Sequence, residues 1–264
     1  MLLRGPGCHA IILKTSIGPT MDNWTATEGS PSPLGVTWIE DEQAYNFALY
    51  SKHATGVTLL LFAEADQLTP VFQYRHDFLS NKSGRVWHCR VPERHLGGAR
   101  YYGYCVEGPF NPAEGHRFDP QKLLLDPSAR AVVFPTNFSR SAACEAGSNI
   151  GRAPLGLIQT NHCSFDWSRD KRPRHTHDTV IYEMHVKGFT MRTNSGVSAE
   201  KRGTYAGVVE KIPYLKALGI TAVELLPIYQ YDPDEGNYWG YMPLNFFFPH
   251  HGYASDKKPG RQIL

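Results

Sequence analysis

Charge excess of either sign is missing from this chain: 27 Lys and Arg stand against 25 Asp and Glu, a net charge of +2. A protein that tracks a nucleic-acid backbone carries a basic stripe, and none is visible, so nucleic acid is not an expected partner. Long apolar runs are missing too. No stretch approaches the roughly 20 apolar residues of a membrane-spanning helix, which excludes a membrane partner of that kind. Paired cysteines are a third absence. Cys8, Cys89, Cys105, Cys144 and Cys163 are odd in number and far apart, without the spacing of a zinc site or a disulfide framework. They read as reduced thiols, which points to a plastid or cytoplasm rather than a secreted setting. No Gly-rich phosphate loop, Ser-His-Asp order or Cys-His arrangement stands out. His175 with His177 and His250 with His251 are the closest histidine pairs, and neither has a third ligand at a sensible spacing, so no metal site is expected. No cofactor is implied, and the sequence does not bear on calcium.

What is present suffices for a folded protein. Hydrophobic residues make up 41% and charged residues 20%, enough to bury a substantial core in one large domain or two ordinary ones. Residues 1–29 read as a leader. Arg4 and Lys14 occur there among Ser and Thr with no acid before Asp22, weakly like a transit peptide, and a disordered segment without a targeting role fits equally. Sequons fall at Asn23, Asn81 and Asn137. Such short motifs arise often by chance.

Residues 30–135 predict an antiparallel β-sandwich. GVTWI, AYNFALY, GVTLLLF, GRVWHCRV and ARYYGYCVEG are short runs rich in Val, Thr, Tyr, Trp and Leu, separated by turn residues. Residues 136–175 read as a linker, with a Ser/Ala/Gly/Asn tract near 139–151 that predicts no fixed structure.

From 176 the period changes. TVIYEMHV (179–186) and ITAVELLPI (220–228) read as buried strands. Between them, 204–219 places Val208, Ile212, Leu215 and Leu218 at helical intervals, with Thr204 as N-cap, Gly219 as stop and Pro213 as a kink or late start. Strand, helix and strand make a βαβ unit with parallel strands. The next stretch, NYWGYMPLNFFFPHHGY (237–253), is aromatic and uncharged, yet its prolines and glycines argue for an irregular backbone near a surface. Rings exposed there invite a planar apolar ligand. Loops leaving the C-terminal ends of parallel strands gather on the ligand-binding face, so topology alone places these rings on a functional rim.

VIYEMHVKGFT, EKRGTYAGVVEKIPYLKALGITAVELLPI and NYWGYMPLNFF resemble the first strand, first helix, second strand and following loop of an α-amylase-type (β/α)8 TIM barrel. They are most similar to the isoamylase-type glycogen and starch debranching enzymes. GVTWIEDEQAYNFALYS, YYGYCVEGP and KLLLDPSAR resemble the immunoglobulin-like carbohydrate-binding module that precedes the barrel there. The resemblance implies a barrel begun at 176–264 but incomplete, and hydrolysis of α-1,6 branch linkages in glycogen or amylopectin by a retaining two-carboxylate mechanism. It implies that Tyr241 lies against a sugar ring, that Tyr238 and Trp239 line the same cleft, and that Asn245 is a polar residue near that subsite. His185 belongs to the first-strand pattern and is expected to pack or hydrogen-bond near the barrel top. Phe246, Phe247 and Phe248 are expected to pack between loop and barrel.

The family's catalytic acids follow a D-x-x-x-N-H motif that this chain lacks, and the tail DKKPGRQIL departs from the family's continuation. The sequence therefore reads as an N-terminal fragment with no catalytic residue of its own. Glu183 and Glu224 read as structural and Asp232, Asp234 and Glu235 as solvated, with no spacing that pairs two of them. A non-catalytic glucan-binding protein and a branching-enzyme-like glucosyltransferase are the competing readings.

Overall fold

A computed structural model describes residues 28–159, 166–171, 173, 177–232 and 236–256. The chain divides into two compact units, Met1–Ile158 and Gln159–Leu264.

The first unit is the expected sandwich. One sheet has the order β1-β2-β6-β5, built from β1 (Gly35–Ile39), β2 (Ala44–Tyr50), β5 (Lys82–Ser83) and β6 (Val86–Pro92). The other has the order β11-β12-β7-β3-β4, with β10 also paired to β7. Its members are β3 (Gly56–Ala63), β4 (Phe72–Arg75), β7 (Ala99–Glu107), β10 (Leu123–Leu124), β11 (Val132–Val133) and β12 (Leu155–Leu157). A small separate pair joins β8 (Phe110–Asn111) to β9 (His116–Arg117). Each strand read from the sequence is present, and the Glu40–Glu42 turn signal closes as a single 3-10 turn between β1 and β2. Phe47, Leu59, Leu61, Trp87, Tyr102 and Tyr104 fill the space between the sheets. Trp87 is thus a core residue. Trp38 is half-buried, its ring packed on Tyr45 and its indole N–H donating to Glu40 at 2.5 Å.

The linker expectation needs correction. Residues 136–158 belong to the first unit, because β12 pairs with both β7 and β11. The Ser/Ala/Gly/Asn tract is fixed by Lys122 from outside it and by its own Asn149 bonding outward. The buried Lys122 donates its ammonium to the carbonyls of Ala142 (2.9 Å), Gly147 (2.7 Å) and Glu145. Asn149 accepts from the Leu123 amide at 2.7 Å and donates to the Leu123 carbonyl at 3.1 Å. The sequon residue Asn81 is fully buried, its carbonyl oxygen accepting from the Tyr74 hydroxyl and the Asp77 amide, both at 2.9 Å. Asn23, Cys8 and Cys163 lie outside the described residues. Cys89, Cys105 and Cys144 form no disulfide among the described residues, and the first two are buried.

The second unit opens with the βαβ pattern. β13 (Ile181–Met184) pairs in parallel with β14 (Ala222–Leu225). Between them lie α1 (Val186–Thr190), α2 (Tyr205–Glu210) and α3 (Ile212–Ala217). Thr204 caps α2 by accepting from the Gly207 amide, and Gly219, at φ +85°, ends α3. Pro213 sits in the first turn of α3, where its missing N–H costs nothing, so the helix breaks at Lys211. Two expectations fail here. The strands are four residues long rather than eight or nine, since His185 ends β13 and starts α1. They are also largely exposed: Ile181, Val223 and Leu225 face solvent, because among the described residues this sheet has two strands only. No helix among the described residues is long and apolar enough to cross a membrane.

The aromatic stretch is less irregular than its prolines suggest. β16 (Pro243–Pro249) pairs antiparallel with β15 (Tyr229–Tyr231). Register shifts on both sides of Gln230 let seven residues face three, and the two prolines occupy the ends of the strand, where a missing donor is tolerated.

Candidate functional site: an aromatic loop at the ends of the parallel strands

Residues 236–242 lead into β16 and carry Tyr238, Trp239 and Tyr241, all more than half or about half exposed. Their backbone is held from within. The Asn237 side chain accepts from the Gly240 amide at 3.2 Å and donates to the Tyr241 carbonyl, closing a tight turn. Gly240 has φ +81°, and a Cβ there would meet the Pro227 carbonyl oxygen at 2.8 Å and the Tyr231 ring at 3.3 Å. Only glycine satisfies both the left-handed backbone and that approach.

Below the turn lies a packed layer of rings. His185, at the C-terminal end of β13, stacks on Tyr238 with centroids 4.3 Å apart and planes 9° from parallel. Its Nδ1 accepts from the Gly188 amide at 3.0 Å, so the proton of the ring is on Nε2, which donates to the Tyr238 carbonyl at 2.7 Å. The Tyr253 hydroxyl lies 3.1 Å from the same nitrogen. Tyr231 stacks on His250 at 3.9 Å. The fully buried Gln230 donates to His250 at 3.2 Å and accepts from the His251 amide at 3.0 Å. Burial pushes the Tyr205 and Tyr253 hydroxyls far above their ordinary range, so both stay protonated near neutrality. The His250–His251 pair belongs to this ring layer. No group of three or more His, Cys, Asp or Glu among the described residues is arranged to hold a metal ion. His175 lies outside the described residues.

The structure sorts the expected sugar-contact residues into two kinds. Tyr238, Trp239 and Tyr241 are brought together on one exposed turn, and Tyr241 is 56% exposed. Asn245 is a correction. It is 1% exposed, and its side-chain oxygen accepts from the Phe247 amide at 2.8 Å, so it stabilises a bulged strand instead of facing a ligand. The three phenylalanines also divide: Phe248 is buried, whereas Phe246 and Phe247 face solvent.

Two statements about acids change as well. Asp232 is buried, not solvated, and Asp234 and Glu235 lie outside the described residues. Parallel pairing sets Glu183 directly beside Glu224, on one face of the sheet. A sequence separation of 41 residues hides that neighbour relation. Both are exposed.

Two family models match the chain in the order of its two units, the second beginning at residue 132, within the first unit. Residues 33–129 match the model of carbohydrate-binding module 48 (isoamylase N-terminal domain), and residues 132–256 match that of the alpha amylase catalytic domain. Among solved structures, the catalytic module of the pneumococcal glycogen-degrading virulence factor SpuA is similar at 24% identity and a TM-score of 0.63. The match covers 90% of this chain and 35% of that one. A pullulanase of Paenibacillus barengoltzii complexed with maltotriose gives 24% identity, the same coverages and a TM-score of 0.63. The Group B Streptococcus pullulanase SAP, complexed with maltotetraose, gives 22%, coverages of 89% and 31%, and a TM-score of 0.61. The chain spans about a third of the solved chains it matches. The chain thus joins a module-48 sandwich to the start of an alpha amylase catalytic domain.

Proposed function

We propose that this chain is the glucan-recognising N-terminal part of a glycoside hydrolase of the debranching type, acting on α-1,6 branch linkages of glycogen or amylopectin. One observation carries the reading. Three aromatic side chains sit exposed on a turn locked from below, at the C-terminal ends of two parallel strands where α/β barrels bind ligands. C–H bonds on one face of a pyranose pack against such rings, and a fixed ring orients the sugar before any bond is broken. The maltotriose and maltotetraose complexes among the similar proteins support an α-glucan as the ligand.

Retaining hydrolysis needs two carboxyl groups about 5–5.5 Å apart, one attacking and one protonating the leaving oxygen. The described residues supply the turn proposed to bind sugar, and the sequence lacks the D-x-x-x-N-H motif that precedes the acids in the family it resembles, so the reading is that this chain binds glucan without cleaving it. Titration calorimetry with maltoheptaose and glycogen, beside reducing-end release from amylopectin, tests both halves. Binding without release is expected. Release of reducing ends sinks the division of labour, and absence of binding to either glucan sinks the sugar reading.

A further inference from the structure

We propose that His185 and Gly188 form a seat for Tyr238, and that His185 is the positioning residue that holds the exposed aromatic turn in register with the barrel strands. The inference rests on the sugar-binding role proposed for that turn, and it adds where the turn takes its orientation from.

Three observations converge on the seat. His185 is nearly fully buried, and both its ring nitrogens are committed. The Gly188 amide occupies Nδ1 at 3.0 Å, which leaves Nε2 as the donor. That N–H points at the Tyr238 carbonyl, 2.7 Å away, across a gap of 53 residues. The tautomer is thus chosen by a local helix cap and used for a distant loop. The same histidine also carries the Tyr238 ring, stacked 9° from parallel on its face. A single side chain therefore fixes both the backbone position and the ring plane of Tyr238. Gly188 supplies the third constraint. A Cβ at that position would lie 2.4 Å from the Tyr238 hydroxyl, so a side chain there requires the hydroxyl end of the ring to shift.

Trp239 packs edge-on against Tyr238 at 6.3 Å, and Asn237 ties the Tyr241 carbonyl to the same turn. The setting of Tyr238 is in this way passed to both exposed rings that follow. His185 touches no sugar in this arrangement; it acts through Tyr238.

Two substitutions probe the seat from opposite sides in the full 264-residue chain. In His185→Asn the side-chain oxygen takes the place of Nδ1, preserving the helix cap while removing the donor to Tyr238 and the stacked ring. In Gly188→Ala the histidine is intact and the new methyl group displaces the Tyr238 hydroxyl. Hydrogen exchange read by mass spectrometry is expected to accelerate at least tenfold over residues 237–242 in both variants. In His185→Asn, residues 188–191 stay at the wild-type rate. His185→Gln, whose amide nitrogen reaches the Nε2 position, restores part of the protection. Maltoheptaose affinity falls at least fivefold in the first two variants. Unchanged exchange over 237–242 in both overturns the seat. Faster exchange with unchanged affinity overturns the link between seat and sugar. A wild-type chain that binds no maltoheptaose refutes the sugar reading, and the exchange data then decide the seat alone.

Discussion

The Tyr102 hydroxyl donates to the Asp126 carboxylate at 2.9 Å inside the sandwich, with no water-exposed face on either group. Burial pushes the Asp126 carboxyl up to about 6, against the lowering effect of bonds from the Ser128 amide and Tyr102. A raised carboxyl pKa in the folded state means the fold binds a proton that the unfolded chain releases near pH 4. Stability from this group is therefore complete below pH 4 and declines as pH rises through about 6. The shift corresponds to about 3 kcal/mol between pH 4 and 7. Asp126→Asn is expected to abolish that share of the decline. Urea unfolding of both proteins across pH 4–8 measures it, and parallel pH profiles for the two would refute it.

The neighbouring Tyr104 makes the opposite case. Its hydroxyl is buried with no hydrogen-bond partner among the described residues. A buried polar atom left unpaired costs about 1–3 kcal/mol, so Tyr104→Phe is expected to leave stability unchanged or raise it by about 1 kcal/mol. Thermal unfolding decides this, and a loss of stability would mean that the hydroxyl has a role its surroundings do not show.

Lys122 closes the tract at 142–147 with three donors to three carbonyls. Lys122→Met keeps the stem in place but leaves those carbonyls without a donor, at a cost of about 2–4 kcal/mol. The loss should be local first: exchange over residues 142–149 accelerates before the sandwich strands do. Uniform acceleration across the unit would count against a local role.

These three sites show where sequence reading stops. The strands of the sandwich were legible because each carries its own pattern of β-branched and aromatic residues. The helix start at Thr204 and its break near Pro213 were legible for the same local reason. The order of residues 139–151 was not, since it comes from contacts with Lys122 and Leu123, which lie outside a segment whose own composition predicts none. The neighbour relation of Glu183 and Glu224 depends on strand register, and register leaves no local mark. The aromatic turn was legible as a cluster. Its exposed part and its buried part were separable only once β16 and its bulges were known, which is why Asn245 and Phe248 turn inward.

Gly240 and Met242 bracket Tyr241 with left-handed backbone, at φ +81° and +63°. Left-handed conformation costs a residue with a Cβ about 1–2 kcal/mol, and at Gly240 the Pro227 carbonyl adds a collision. Gly240→Ala should destabilise the second unit by at least that amount and disorder the turn. Met242→Gly should release strain, because the Met242 side chain is mostly exposed and has little packing to lose. Thermal unfolding read by near-ultraviolet circular dichroism compares them, and equal effects of the two would contradict the argument.

Exposure alone does not make a ring a sugar platform, and Phe246 is the control for that statement. It is as exposed as Tyr241, yet it belongs to β16 and not to the turn at 236–242, and it packs on Tyr229 at 5.7 Å. A stacked ring contributes about 0.5–1.5 kcal/mol in comparable aromatic contacts. Tyr241→Ala and Trp239→Ala are each expected to weaken maltoheptaose binding roughly threefold to tenfold. Both side chains are exposed, so melting temperature should hardly move, consistent with surface changes of about 0.5 kcal/mol or less. Phe246→Ala should leave the affinity unchanged. If all three substitutions weaken binding equally, the ligand spreads over the whole apolar surface of the unit and the turn has no special part in recognition. If only Phe246→Ala weakens it, the sugar lies along β16 and the assignment of Tyr241 falls.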